Sequence, residues 1–173
     1  IRLSLVGSEM CIRDRMIGIG AVKYADLCTD RTRDYTFDWE KMLSFEGNTA
    51  PYLQYSHARI CRVFSLSNMD RDDVKDANII IETEEELNLA RCIVNFSEAV
   101  DNASSTLHPH KLCTHIHSTS SAFASFYEAC PILKTEDEVL MKSRLALCDL
   151  TARSISIGLG CLLYTSDAAD DLL

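Results

Sequence analysis

The amino-acid sequence predicts an all-α fold built as a helical bundle. Its 173 residues include three prolines and six glycines, and the long stretches between them are rich in Leu, Ala and Glu, which favour helices. Apolar residues recur at helical spacing, and no two alternating segments are joined by a hairpin turn. These observations indicate helices that each bury one face against their neighbours.

Both ends of the chain look foreign to it. The peptides MCIRDR (10–15) and CLLYTS (161–166) can be written in codons that are reverse complements over most of their length. With their flanking residues they resemble translated sequencing adapters, so we expect 1–15 and 161–173 to be adapter-derived tails. Such tails are excluded from fold reasoning, and the natural segment is expected to run from about Met16 to Gly160.

The composition predicts a soluble protein from a reducing compartment. The chain carries 17 Lys and Arg against 26 Asp and Glu, a net charge of −9, and no uninterrupted apolar run approaches the roughly 20 residues of a membrane span. Six of its eight cysteines lie between the tails without a C-x-x-C pair, which is typical of reduced core residues. We therefore expect one cytoplasmic domain with no membrane partner.

The first half of the chain predicts three helices. An apolar helix is expected from Met16 to about Cys28 and a short one from Asp38 to Phe45, with an irregular charged segment between them. A third should run from Pro51 to about Ser67, because proline suits a first helical turn and Asn48 or Thr49 can cap it. The following NMDRDDVKDAN segment is acidic and lacks an apolar period, so we expect a surface linker.

The second half predicts three longer helices, after a brief extended segment at 79–81. Thr83 followed by Glu86 is a capping box that opens the first of them. Its apolar face carries Leu89, Ile93, Phe96 and Val100. The next helix begins at Pro109 and is stopped by Pro131.

The last helix is predicted from a second capping box. Thr135 and Glu138 have the required spacing, and apolar residues continue at helical intervals as far as Ile157.

The histidine-rich segment HPHKLCTHIH (108–117) has residue types that bind zinc. Residues two apart on a helix point about 200° away from each other, so the spacing favours helix-start and surface histidines, and we expect no metal site. A nucleophile built from Cys113 and a histidine lacks an orienting acid and an oxyanion site. Gly18 and Gly20 lack the third glycine of a phosphate-binding loop.

The segment FASFYEAC places Phe123, Phe126 and Tyr127 on adjoining faces of one helix. Aromatic faces of this kind either fill a core or stack on unpaired bases, and both interpretations stay open. In FEGNTAPYLQYSHARI (45–60) two tyrosines, a glutamine, a histidine and an arginine follow one turn. That is more hydrogen-bonding capacity than burying one face requires, so we expect a polar partner.

Five blocks of the sequence stand out together. They are IGIGAVKYADL (17–27), RDYTFDWEKMLSFEGNTAPYLQYSHARI (33–60), LHPHKLC (107–113), FASFYEACPIL (123–133) and RLALCDLTARSI (144–155). In this order they resemble blocks of arginyl-tRNA synthetases. The chain resembles the C-terminal part of such a class I aminoacyl-tRNA synthetase. The resemblance implies a parent enzyme, expected to be a monomer, that uses ATP with Mg²⁺ to attach arginine to tRNA(Arg).

The catalytic HIGH-type and KMSKS-type motifs of that family do not occur in this chain. The resemblance implies that 16–47 is the helical end of the catalytic, stem-contact region and that 48–160 is the anticodon-binding helical bundle. We therefore expect no catalytic residue and no cofactor in this segment, and no aminoacylation by the isolated chain.

The resemblance also implies a set of tRNA-binding residues. They are Asn48, Tyr52, Gln54, Tyr55, His57, Arg59, Phe126, Tyr127 and Arg144. By residue type, Arg59 suits a phosphate, Asn48 and Gln54 suit hydrogen bonds, and the tyrosines suit amphipathic walls; burial of the tyrosines against neighbouring helices is the alternative.

The chain departs from the family after LHPHKLC. Where many relatives have a Tyr-Leu-Tyr-Asp-Leu-like run, it has His115 and His117. Two other functions stay open. One is the anticodon-binding domain of another class I synthetase, such as the cysteine enzyme. The other is a non-enzymatic, stand-alone helical interaction module with no RNA partner, which would self-associate through exposed apolar surface on 16–45.

Overall fold

The computed structural model of the protein describes residues 17–163. Within this range the helices are α1 (17–28), α2 (Trp39–Met42), α3 (Ala50–Ser67), α4 (Arg71–Val74), α5 (Glu84–Val94), α6 (Phe96–Thr106), α7 (Pro109–Ala129) and α8 (Glu138–Leu163). The described range contains no strand, and the all-α prediction is confirmed. The tail predicted at 1–15, and all but the first three residues of the one at 161–173, lie outside the described residues.

The caps of α2 and α3 follow from the sequence. The side chain of Asp38 accepts the first free N–H groups of α2, and Thr49 Oγ1 accepts the N–H of Tyr52 at 3.2 Å at the start of α3. Of the two predicted cap residues, Thr49 is therefore the cap and Asn48 is not. Asn68 ends α3 in the left-handed conformation, which asparagine tolerates better than most residues.

The helix predicted after Thr83 is present but broken in two. Its capping box forms as predicted, and α5 then ends at Asn95, whose N–H bonds back to the carbonyls of Arg91 and Ile93. Helix α6 begins directly after Asn95, at Phe96. The segment 79–81 pairs with no strand; its Ile80 N–H donates to Ser143 Oγ at 2.8 Å.

The capping box predicted for the last helix is wrong. Asp137 caps α8 instead, and its Oδ1 accepts the N–H groups of Val139 at 2.8 Å and Leu140 at 3.3 Å. The helix begins at Glu138, and a cap must directly precede the first helical residue, so Thr135 lies too early in the chain.

The hydrophobic core lies around α7 and α8, with α3 and α5 packed against them. Its largest fully buried side chains include Leu53, Ile60, Leu89, Ile116, Phe123, Phe126, Leu145, Leu147 and Ile155. The close approach of α7 and α8 depends on Gly158, because a Cβ there would overlap the end of Ile116 and lie 2.8 Å from its Cγ1.

Helix α1 joins the same core through one tyrosine. Tyr24 is fully buried, and its hydroxyl lies 2.6 Å from Asn48 Oδ1 and 3.1 Å from the carbonyl oxygen of Cys113. Burial raises the pKa of Tyr24 above its ordinary value, so the hydroxyl is neutral and available as a donor.

Among the described residues one stretch, Glu138–Leu162, is long and apolar enough to cross a bilayer by length and composition. The sequence prediction, which counted uninterrupted apolar runs, missed it. Half of its most apolar window is buried inside the protein, and the stretch buries Ser143, Arg144 and Asp149 as well. Buried polar groups with partners inside the bundle are features of a central core helix.

Candidate nucleic-acid interface

Three side chains from α3 and α7 form a stack on the protein surface. Tyr55 and Arg59 lie one turn apart on α3, and Arg59 Nη2 donates to Tyr55 Oη at 2.9 Å. The guanidinium carbon lies 4.9 Å from the ring centre of Tyr55 and 5.2 Å from that of Tyr127 on α7. These distances are those of favourable cation–π contacts. Tyr55 is 47% exposed and Tyr127 40% exposed, so the stack lies within reach of a ligand.

The stack lines an open groove of about 790 Å³ between α3 and the end of α7 with the segment that follows it. Its charged lining consists of Arg59, Arg62, Lys134 and Glu128. Three cations thus face one carboxylate in a chain whose net charge is −9. The groove is a local cationic and aromatic surface, the combination that binds unpaired bases and their phosphates.

Further aromatic surface adjoins the groove on the side of α2. The ring of Phe45 is exposed and meets the ring of Tyr55 edge-on, with the centroids 6.2 Å apart. Phe37 and Trp39, also exposed, pair edge-on with a centroid distance of 4.9 Å.

The structure separates the aromatic residues of α7. Phe123 and Phe126 are buried in the core, with 1% and 0% exposure, whereas Tyr127 faces the groove. Successive helical residues point about 100° apart, so the side chain of Phe126 points into the core and that of Tyr127 points to the surface. A fully buried ring offers no face to a base, so Phe126 is not part of the exposed groove.

Arg144 is also buried, with 6% of its side chain exposed. Its Nε donates to Glu86 Oε1 at 2.8 Å and its Nη1 to the carbonyl oxygen of Pro131 at 2.9 Å. A buried guanidinium with these partners holds α5 and α8 together and cannot reach RNA. The sequence missed this arrangement because Glu86 lies 58 residues away in the chain.

His57 turns from the groove into the protein. It is buried, and its Nδ1 lies 3.8 Å from Cys61 Sγ. Burial and the nearby charge of Arg71 lower the pKa of His57, so its ring is neutral near pH 7 and has no charge to offer a phosphate.

Asn48, Tyr52 and Gln54 are half-buried and lie outside the lining of the groove. Asn48 accepts the hydroxyl of Tyr24, and the ring of Tyr52 packs 5.6 Å from that of His117. Of the nine residues implied by the resemblance, the structure therefore brings three together in the groove, namely Tyr55, Arg59 and Tyr127.

The histidines of the segment 108–117 contact different residues and do not form one cluster. His108 and His110 pair at 5.4 Å at the start of α7, whereas His115 packs 6.0 Å from Phe96. Across residues 17–163 no three His, Cys, Asp or Glu side chains are arranged to hold a metal ion. Burial raises the pKa of Cys113 to about 12, which leaves its thiol protonated and a poor nucleophile.

The sequence missed two groove residues, Arg62 and Lys134. Arg62 lies three residues after Arg59, so helical spacing alone places it on the same face of α3. Lys134 follows the turn after α7, and this turn brings it to the groove. The sequence gives no signal for the direction that the chain takes there.

Comparison with known proteins identifies the family. The family model of the DALR anticodon binding domain matches residues 53–165. The arginine-tRNA ligase of Cellvibrio japonicus is 48% identical over 159 residues, which cover 91% of this chain and 27% of that protein. The corresponding enzyme of Pasteurella multocida is 45% identical over 146 residues, covering 84% of this chain and 26% of that protein.

Solved structures agree with this match. The arginyl-tRNA synthetase of Plasmodium falciparum superposes with a TM-score of 0.73 at 31% identity, covering 83% of this chain and 25% of that one. The Thermus thermophilus enzyme also gives 0.73, at 28% identity, covering 86% of this chain and 26% of that one. The chain thus spans about a quarter of the length of its relatives, and the predicted resemblance to arginyl-tRNA synthetases is confirmed. The chain belongs to the family of the DALR anticodon binding domain.

Proposed function

We propose that this chain is the anticodon-binding part of an arginine-tRNA ligase and that it binds tRNA(Arg) through the groove between α3 and α7. The observation that carries the proposal is the contact of the Arg59 guanidinium with two exposed tyrosine rings, those of Tyr55 and Tyr127, in a chain that matches an anticodon binding domain.

The groove suits the unpaired bases of an anticodon loop better than a duplex. Bases in a loop can be splayed out and stacked on aromatic or guanidinium planes, and Tyr55 and Tyr127 offer partly exposed rings. The net charge of −9 repels RNA from most of the surface, so binding is confined to the groove and depends on salt.

The complete reaction belongs to the longer protein that we propose. Arginine is activated there with ATP and Mg²⁺ in the cytoplasm, then transferred to the tRNA. The sequence contains no glycine-rich phosphate loop. The assignment of 16–47 to the catalytic region and 48–160 to the anticodon domain remains part of the proposal.

Binding of an anticodon stem–loop tests the proposal. The probe is a labelled stem–loop of tRNA(Arg), compared with those of tRNA(Cys) and an unrelated tRNA by filter binding across a KCl series. We expect the arginine stem–loop to bind most tightly. Equal binding of all three, or a cysteine preference, would reject the arginine assignment. No binding at low salt would favour the protein-interaction module.

A pair of tyrosine variants locates the site. Tyr127→Ala removes one ring of the stack and should weaken binding about 5- to 150-fold, the usual range for losing one base–aromatic contact. Tyr35→Ala is the matched control, because Tyr35 is 42% exposed and lies outside the groove. Its affinity should equal that of the unmodified chain.

A further inference from the structure

The three cations of the groove differ in what they already contact. Arg59 is half-buried and donates to Tyr55 Oη, and its guanidinium carbon lies 4.9 Å from the ring centre of Tyr55 and 5.2 Å from that of Tyr127. Arg62 and Lys134 are exposed, and the described part of the chain provides neither side chain with an ion-pair or hydrogen-bond partner. Arg59 is therefore committed to the protein, whereas the other two have donors to offer.

We infer that Arg62 and Lys134 bind the phosphates of the RNA and that Arg59 is a positioning residue that holds the rings of Tyr55 and Tyr127 in place for stacking. The inference rests on the proposed RNA-binding function. It replaces the sequence-based prediction that Arg59 itself takes a phosphate.

The positions of the two free cations suit one RNA backbone crossing the groove. Arg62 lies one turn beyond Arg59 on α3, and Lys134 belongs to the segment after α7. Cations on both walls can each take a phosphate, while the bases turn toward the aromatic stack. Glu128 is the carboxylate in the lining of this groove and would repel a phosphate that passed close to it.

Salt dependence separates a phosphate ligand from a positioning residue. Each phosphate contact contributes about 0.7 to the slope of log affinity against log salt for single-stranded RNA. We therefore expect Arg62→Gln and Lys134→Gln each to reduce that slope by about 0.7. Arg59→Met should weaken binding about 5- to 10-fold at every salt concentration and leave the slope unchanged.

Arg59→Lys adds a second test of the positioning role. Lysine keeps the charge but has no planar group to pack against the rings of Tyr55 and Tyr127, so this variant should bind RNA as weakly as Arg59→Met. All four variants are compared with the unmodified chain by fluorescence anisotropy with the tRNA(Arg) stem–loop, and thermal melts confirm that each is folded.

The results distinguish this inference from the proposed function. If the unmodified chain does not bind the stem–loop, both are wrong. If it binds and Arg59→Met lowers the slope, or Arg59→Lys restores affinity, Arg59 is a phosphate ligand and the inference alone fails. It also fails if Arg62→Gln and Lys134→Gln leave the slope unchanged.

Discussion

Replacing Arg144 with methionine should destabilise the protein without touching its RNA surface. The carboxylate of Glu86 is fully buried. Its Oε1 accepts Arg144 Nε at 2.8 Å, and its Oε2 accepts the backbone N–H groups of Glu82 at 2.7 Å and Thr83 at 3.0 Å. One side chain thus completes both the capping box of α5 and a buried ion pair to α8.

The expected loss follows from what Arg144→Met leaves behind. Methionine keeps much of the aliphatic volume, but the carboxylate of Glu86 stays buried without its cation, and the carbonyl oxygen of Pro131 loses its donor at 2.9 Å. Removing one partner of a buried pair costs about 3–5 kcal/mol. We expect about 3 kcal/mol, because Oε2 keeps its two amide donors and part of the charge remains solvated by them.

Urea unfolding followed by far-ultraviolet circular dichroism measures this loss. With a denaturant slope of about 1–3 kcal/mol per molar for a domain of this size, the midpoint should fall by about 1–3 M. Lys142→Met is the matched control: it lies two residues away on the same helix and forms an exposed ion pair with Glu138. Its midpoint should be unchanged.

Two results would refute the reasoning. One is an unchanged urea midpoint for Arg144→Met. The other is a stable Arg144→Met protein whose slope of log affinity against log salt falls by about 0.7, because losing one phosphate contact would make Arg144 the RNA ligand that the resemblance implies. We expect instead that the folded variant binds the stem–loop with an unchanged slope.

The acid sensitivity of the same variant provides an independent check. Burial raises the pKa of Glu86, but the amide donors of Glu82 and Thr83 and the charge of Arg144 outweigh it, so the net pKa lies below the ordinary 4.5. A lowered carboxylate pKa stabilises the fold above pH 4.5, and this stabilisation is lost as pH falls through the folded-state pKa. Without Arg144 that pKa rises, and acid unfolding should begin at higher pH.

The remaining predictions concern the core and its packing. Gly158→Ala should lower the free energy of unfolding by about 1–3 kcal/mol, because its Cβ would overlap Ile116. In Gly160→Ala the added Cβ meets no atom within 4 Å, so the urea midpoint should be the same or higher. Phe126→Ala should lower stability by about 3–5 kcal/mol with unchanged RNA affinity of the folded protein; a selective loss of affinity would return Phe126 to the interface. The pKa of His57 in the folded protein is lowered from its ordinary 6.5, so the free energy of unfolding should fall as pH drops below 6.5. The unfolding free energy of His57→Gln should depend less on pH, and a pH dependence equal to that of the unmodified chain would contradict this.

The sequence predicts most of the helices because their signals are local. The Thr49 cap with Pro51, the Thr83 capping box, Pro109 at the start of α7 and Pro131 after its end each act on about one turn of the chain. The three helices begin or end within two residues of where these signals place them. The sequence prediction missed Asn95 and Asp137. Asp137 lies two residues after Thr135, and both are common cap residues, so local signals do not choose between them; Asp137 is the cap that forms. Asn95 separates α5 from α6 without a side-chain signal that could have been read in advance.

The composition of the groove could not be predicted from local sequence signals alone. Residue type and helical spacing place Tyr55 and Arg59 together on α3, but they cannot tell that Tyr127 of α7 comes to lie within 5.2 Å of the same guanidinium. The same limit explains Arg144, a cation that looked suited to RNA until folding brought a buried carboxylate to it.

By itself, the sequence determined the fold class, the family and most helix boundaries, because apolar periodicity, helix caps and short sequence blocks are each properties of neighbouring residues. Only the tertiary structure decided which polar and aromatic side chains face solvent together. That exposure depends on contacts between residues far apart in the chain. Arg144 is buried against Glu86, whereas Arg62 and Lys134 stay exposed in the groove and can bind a ligand.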